Sequence, residues 1–318
     1  MSFPPESKIE YHTLKDLITK EIVDAFGLSS VNWQRKILAR FFSYPADRLA
    51  RLLITGYQDV ESSGMPMAAS NALPRFLEGV KIFGAQNIPK EGPLLIASNH
   101  PGAYDGLIIL ANMPRNDIYI VISDVPLIRN LPAIDRQMIY TFSGTQGRMS
   151  ALRGILRQLQ NGSAVLIFPS GLVDPDPDLM PGAKERLQIW SPSLELILRK
   201  VPDTIFQVTV VSSVLAESCI RNPLTRLQKE KWRQQKLAEF IQVIQQVLLN
   251  RKFNLVPRIS FAEPAHQSQL IEQQNSPGLM QGIIHHAENV LASHLCRPES
   301  NWQSVSYHLS KTPIESTG

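Results

Sequence analysis

The chain is 318 residues long, 43% hydrophobic and 19% charged, with a formal charge of +4 at neutral pH. Such a chain is an ordinary globular protein with enough apolar residues for one large or two modest cores. Its two cysteines, Cys219 and Cys296, exclude a disulfide framework and point to a reducing compartment, so cytoplasm is expected.

The N-terminus has no apolar run behind a basic stretch, so no secretory signal is expected. No stretch reaches about 18 apolar residues free of charges and breakers, so no transmembrane helix is expected either. Residues 1–78 read as an N-terminal helical segment: "HTLKDLITKEIVDAF", then "WQRKILARFF" interrupted at Pro45, then "DRLARLLI" and a piece ending near "LPRFLEG". From Val80 onward, short apolar runs alternate with helix-like segments, the pattern of an α/β protein. The expected strands are Val80–Phe83, Pro93–Ser98, Asp117–Ser123, Met138–Thr141, Ala164–Phe168, Thr204–Val211 and Arg258–Phe261. They predict a mixed, largely parallel central sheet flanked by helices over residues 79–296. Helices are expected in "RMSALRGILRQLQNG", "TRLQKEKWRQQKLAEFIQVIQQVLLNR" and "GLMQGIIHHAENVLASHL", followed by a loose polar tail over 297–318.

Two segments concentrate positive charge. Arg35, Lys36, Arg40, Arg48 and Arg51 face Asp47 alone, and residues 221–252 carry eight basic residues against Glu230 and Glu239. With Trp33, Phe41, Phe42 and Trp232 as anchors, they suit contact with an anionic membrane surface, although a basic face is also simply a soluble one. No nucleic-acid module is recognisable.

The most informative stretch is "LLIASNHPGAYDG", residues 94–106. A buried strand ends at Asn99 and His100, Pro101-Gly102 turns the chain, and a helix starts with Asp105 in its first turn. A chain reversal would bring the Asp105 carboxylate against the His100 imidazole, fixing its tautomer as a general base requires. Spacing alone leaves a second reading open, since an aspartate is favoured in a first helical turn anyway.

"NHPGAYD" resembles the N-H-x-x-x-x-D block of the phospholipid/glycerol acyltransferase family, the lysophosphatidic acid acyltransferase-like enzymes. "VLIFPSG" resembles that family's later F-P-E-G block, "MPGAKERL" the segment after it, and "TIFQVTVVSS" occupies the place of its last block. The resemblance implies that His100 takes a proton from an acceptor hydroxyl while Asp105 orients it. The hydroxyl then attacks the thioester of acyl-CoA or acyl carrier protein. No metal or cofactor is implied, and the acceptor would be a lysophospholipid or glycerol phosphate-like molecule. Asn99, Gly102, Phe168, Pro169, Ser170 and Gly171 would line the substrate site.

The chain departs from the family's pattern at three places. Pro101 and Gly102 stand where relatives usually carry Arg or Gln and then Ser, which suggests a differently shaped acceptor mouth. "TFSGTQGRMSALR" has no clean counterpart of the phosphate-binding arginine; Arg148, beside a glycine-containing loop, and Arg153 are the nearest. Ser170 replaces the third-block glutamate, the arginine expected after Gly171 is missing, and Asp174, Asp176 and Asp178 follow between prolines. Those three carboxylates are expected on a rigid, solvated loop, with cation binding the lesser alternative. His285, His286, Glu288, His294 and Cys296 lack metal-ligand spacing. Two rivals to the transferase remain open, a non-catalytic lipid-binding member of the same fold and a hydrolase that uses the His-Asp pair on water. Oligomeric state is not legible.

Overall fold

The computed structural model describes residues 11–25, 32–226, 230–272 and 278–307. Three helices come first: α1 (Tyr11–Ala25), α2 (Asn32–Ser63) and α3 (Met65–Ala72). α2 runs unbroken through Pro45 instead of stopping there. A proline inside a helix removes one backbone bond and costs about 3 kcal/mol. Packing of the buried Ala46 and Ala50 against Leu14 and Ile18 of α1 offsets that cost.

The strands are β1 (Gly79–Phe83), β2 (Leu94–Ser98), β3 (Ile118–Ser123), β4 (Met138–Thr141), β5 (Ala164–Ile167), β6 (Ile205–Ser212), β7 (Arg258–Phe261) and β8 (Gln303–Ser306). They form one sheet in the order β4-β3-β5-β2-β6-β7-β1-β8. The five strands from β4 to β6 are mutually parallel, and β7 is antiparallel to β6. The fold is therefore mixed α/β with a largely parallel sheet, as the alternation of apolar runs predicts.

The larger helices around the sheet are α4 (Asp105–Ala111), α5 (Gly144–Gln160), α6 (Ser193–Lys200), α7 (Lys231–Leu249) and α8 (Leu279–Leu295). Successive strand side chains point to opposite faces, so the sheet carries two cores. Leu94, Ile96 and Leu166 face α3, α4 and α7, while Leu95, Ala97, Val165 and Val208 face α5, α6 and α8.

The expectation of a loose tail after residue 296 is corrected for the described part. Residues 303–306 pair with β1 as an antiparallel edge strand, and Trp302 is buried with its ring edge-on to His294. The strand is short and mostly exposed, so it leaves no hydrophobic pattern in the sequence.

Candidate active site

In a parallel sheet, groups projecting from the carboxyl ends of adjacent strands gather on one edge. β2 lies between β5 and β6, in register at Ala97↔Ile167 and Ser98↔Thr209. His100, Phe168 and Ser213 follow these three strands and so share one edge. α4 begins just beyond His100 and sets Asp105 at its first position.

His100 Nδ1 lies 2.8 Å from Asp105 Oδ2, and the same oxygen accepts the Gly102 N–H at 3.1 Å. Asp105 is buried, whereas 34% of the His100 side chain meets solvent. The contact with Nδ1 leaves Nε2 free for a substrate. Phe168 stacks at a tilt on the imidazole, with centroids 4.6 Å apart. Burial works against a charged imidazole, but Asp105, and more weakly Glu239 and Asp174, outweigh it and raise the His100 pKa to about 9.

Glu239, on α7, is the residue the sequence did not reveal. Its carboxyl carbon lies 3.9 Å from where a Cβ on Gly102 would stand. Burial, and then the neighbouring Asp105 charge, push its pKa up to about 7. In sequence it is one charge among many on an amphipathic helix, 139 residues from His100, and no local signal marks it.

The three aspartates are not on a solvated loop, which corrects the expectation drawn from the prolines. Asp174 and Asp176 are buried. Asp174 Oδ2 accepts the His100 N–H at 2.9 Å, and its own N–H donates to the His100 carbonyl at 2.8 Å. Arg186 Nε stands 3.4 Å from its other oxygen. Asp176 accepts the N–H groups of Ser213, Val214 and Asp178. Asp178 accepts from the Ser212 and Ser213 hydroxyls and pairs with Arg258. Burial opposes that charge, but these bonds hold the Asp178 carboxyl below its ordinary range. The aspartates clasp the ends of β2 and β6 together. Among the described residues no cluster of three His, Cys, Asp or Glu could hold a metal ion.

The remaining expected site residues divide. Phe168, as above, touches His100. Pro169 is buried and its carbonyl accepts the Ser191 N–H. Ser170 Oγ turns back onto Leu172, within a tight turn closed by the Gly171 N–H to the Phe168 carbonyl. Gly171 has φ +65°, in the left-handed region that glycine tolerates.

Asn99 is buried and its side chain is held by backbone. Its amide donates to and accepts from the Val211 backbone, both at 2.8 Å, and ties β2 to β6. Pro101 and Gly102, where the sequence suggested a differently shaped acceptor mouth, are covered by their neighbours. Both are buried, with Gln235 donating to the Pro101 carbonyl and Val214 and Leu215 packed over Gly102. Arg148 and Arg153 are exposed on α5, which starts behind β4, three strands from β2. Arg148 lies in the helix itself and not in a loop, and neither arginine contacts His100 among the described residues.

His294 is buried, with Nε2 2.7 Å from Ser212 Oγ and Nδ1 2.8 Å from Ser260 Oγ. Burial lowers its pKa to about 3, so it is neutral. In the first basic segment, Arg48 donates to the Leu248 carbonyl at the end of α7 and Arg51 pairs with Asp47. The side chains of Trp33, Arg35, Lys36, Arg40, Phe41 and Phe42 lie outside the described residues. Trp232 is 49% exposed.

A histidine-carboxylate pair thus stands at the carboxyl edge of the parallel strands, with the imidazole partly open to solvent. Residues 79–200, the stretch that holds His100, Asp105 and Asp174, match the family model described as Acyltransferase. Among solved structures the chain is similar to the 1-acyl-sn-glycerophosphate (LPA) acyltransferase PlsC from Thermotoga maritima. The identity is 14% and the TM-score 0.46, over 91% of this chain and 99% of that one. No curated protein matches the chain.

Proposed function

We propose that the protein transfers a fatty acyl group from a thioester, acyl-CoA or acyl carrier protein, to the hydroxyl of a lysophospholipid-like acceptor. The observation that carries this reading is the 2.8 Å contact between His100 Nδ1 and Asp105 Oδ2 within the matched domain. Asp105 fixes the tautomer, so the acceptor O–H proton passes to Nε2 as its oxygen attacks the thioester carbonyl. The tetrahedral adduct expels the thiolate, which takes the proton back from the imidazolium. An ester and a free thiol result, with His100 restored. The high pKa of His100 means that the base form accumulates only on the alkaline side in the empty protein.

No described helix is long and apolar enough to cross a membrane. We infer peripheral attachment at the cytoplasmic face, supported by exposed Trp232 beside Lys231 and Arg233 on α7. The test offers long-chain acyl-CoA with a panel of lysolipids and glycerol 3-phosphate to wild type and His100→Ala, with products read by mass spectrometry. Acylated product that disappears in the variant supports the transferase. Free fatty acid alone favours a hydrolase, and lipid binding without turnover in both proteins favours a non-catalytic member.

A further inference from the structure

α7 runs along the edge of the sheet that carries His100. Gln235, near its start, donates to the Pro101 carbonyl after β2; Gln242 accepts the Ala216 N–H after β6; and Gln246 donates to the Phe76 carbonyl ahead of β1. Past its last turn lies a pocket of about 390 Å³ whose lining includes Glu78, Ser218, Arg251, Lys252 and Phe253. β1 is parallel to β7, whose first residue Arg258 pairs with Ser212 at the end of β6, so Glu78 also stands beyond that edge. The walls of the pocket are held in place. Arg48 donates to the Leu248 carbonyl at 2.8 Å and to Asn250 Oδ1 at 3.3 Å, at the point where the helix ends. Asn250, Phe253 and Asn254 have φ of 51°, 58° and 53°, a left-handed backbone that a bulky residue such as Phe adopts only where its surroundings impose it. Glu78 is tied on both sides, its N–H donating to the Leu255 carbonyl at 2.9 Å and its carbonyl accepting the Tyr307 N–H at 2.7 Å. Arg251 lies over the Phe253 ring, 4.6 Å from its centroid. Among the described residues, the charged ends of Glu78, Arg251 and Lys252 form no ion pair or hydrogen bond, with one another or with other groups.

Two cations and a carboxylate that share a pocket without neutralising one another complement a ligand of both signs. A phosphate ester suits the guanidinium and the lysine ammonium, and a primary ammonium suits the carboxylate. A quaternary ammonium calls for an open aromatic face, and Arg251 covers that of Phe253. Leu249 and Val256, on either side of the loop, are 67% and 38% exposed, apolar flanks that fit a lipid surface better than a soluble phosphate ester. We propose that this pocket docks the phosphoethanolamine headgroup of a membrane lipid and so turns the edge bearing His100 toward the bilayer. The inference rests on the reading of peripheral attachment and gives that attachment a headgroup. The occupant is not the reacting acceptor. Asn250 lies eleven residues past Glu239, the α7 residue beside the dyad, which is about 16 Å along the helix. From a glycerol hydroxyl to the ammonium of such a headgroup there are about eight bonds, which span about 9 Å at the extended length of a polypeptide.

The experiment is sedimentation with vesicles of phosphatidylcholine alone, with added phosphatidylethanolamine, or with added phosphatidylglycerol. It compares wild type with Glu78→Gln and with the double variant Arg251→Gln/Lys252→Gln. No ion pair is broken by these substitutions, so melting temperatures should stay near that of wild type. Wild type is expected to bind the phosphatidylethanolamine vesicles about tenfold more tightly than phosphatidylcholine alone. Glu78→Gln should lose that preference without weakening on phosphatidylglycerol, and the double variant should lose affinity for phosphatidylethanolamine. A preference that survives Glu78→Gln, or a gain from phosphatidylglycerol alone, would overturn the inference. Calorimetry with O-phosphoethanolamine separates the two sources of the same chemistry: binding as tight as that of the vesicles would overturn the lipid surface as the source. Wild type that binds all three vesicles alike would overturn the headgroup site and leave peripheral attachment standing, whereas wild type that binds none would defeat both.

Discussion

Neutralising Asp105 as Asp105→Asn tests the dyad directly, because the raised pKa of His100 predicts where activity should titrate. Moving a histidine from 6.5 to about 9 corresponds to at most about 3.4 kcal/mol of added preference for imidazolium. Solvent over a third of the ring screens part of this and leaves about 2 kcal/mol. For wild type, kcat/KM should therefore rise with pH along a limb whose midpoint lies near 9, levelling off about one unit above it as the base form fills. In Asp105→Asn the leading charge that opposes burial is gone, so the limb should move down toward 6.5 or below. The plateau should also fall by about 10³-fold, because an amide can present either its N–H₂ or its oxygen to Nδ1 and no longer fixes the tautomer. Thiol release from acyl-CoA, followed from about pH 6 to about pH 10, measures both quantities. A limb that stays near 9 in the variant, or a plateau equal to wild type, would refute the assignment of Asp105 as the partner that sets His100.

Four further outcomes follow from the same geometry. Because the folded protein holds the His100 proton more tightly than the unfolded chain, His100 contributes stability below about pH 6.5 that is lost as pH rises through about 9; thermal melts of wild type and His100→Ala should converge across that window. Glu239→Gln removes a second charge that favours imidazolium, so the activity limb should drop by up to about one pH unit while the plateau survives. Gly102→Ser places a Cβ 3.2 Å from Val214 Cγ2 in a buried position and should cost about 1–3 kcal/mol in urea unfolding, with recovery in the double variant that adds Val214→Ala. Asp176→Asn leaves at least one of three backbone N–H groups facing an amide N–H₂ and should cost about 2–3 kcal/mol; an unchanged urea midpoint would show that the clasp is not needed.

What was legible in the sequence was whatever one segment determines by itself. The strands from Val80 to Phe261 stood out because each is a short apolar run, and the His100–Asp105 contact because both residues lie on one five-residue reversal. What was hidden depends on partners distant in sequence. The prolines around Asp174, Asp176 and Asp178 do extend the loop, but the side chains meet N–H and hydroxyl groups at positions 100 and 212–214 that no local rule brings near. Asn99 looked like a substrate ligand only because Val211, which occupies its amide, lies 112 residues away. The basic residues of α2 looked like a membrane face, yet Arg48 caps the end of α7.

The third-block departure can then be understood physically. Ser170 stands where the family that the sequence resembles carries glutamate, and Asp174, four residues on, binds the backbone of His100. Asp174 grips His100 at its N–H and its carbonyl, while Asp105 holds the ring at Nδ1, so the remaining freedom of the imidazole is confined to how Nε2 meets a substrate. Preorganisation of this kind lowers the barrier without adding a contact to the reacting atoms. Asp174→Asn keeps an acceptor for the His100 N–H and keeps its own N–H, so the fold should lose little, but the neutral amide holds His100 and Arg186 less firmly. The expected result is a fall in kcat of about tenfold, with KM for the acceptor and the melting temperature nearly unchanged. A variant that melts much lower yet turns over at the wild-type rate would show that the loop braces the sheet and has no part in positioning His100.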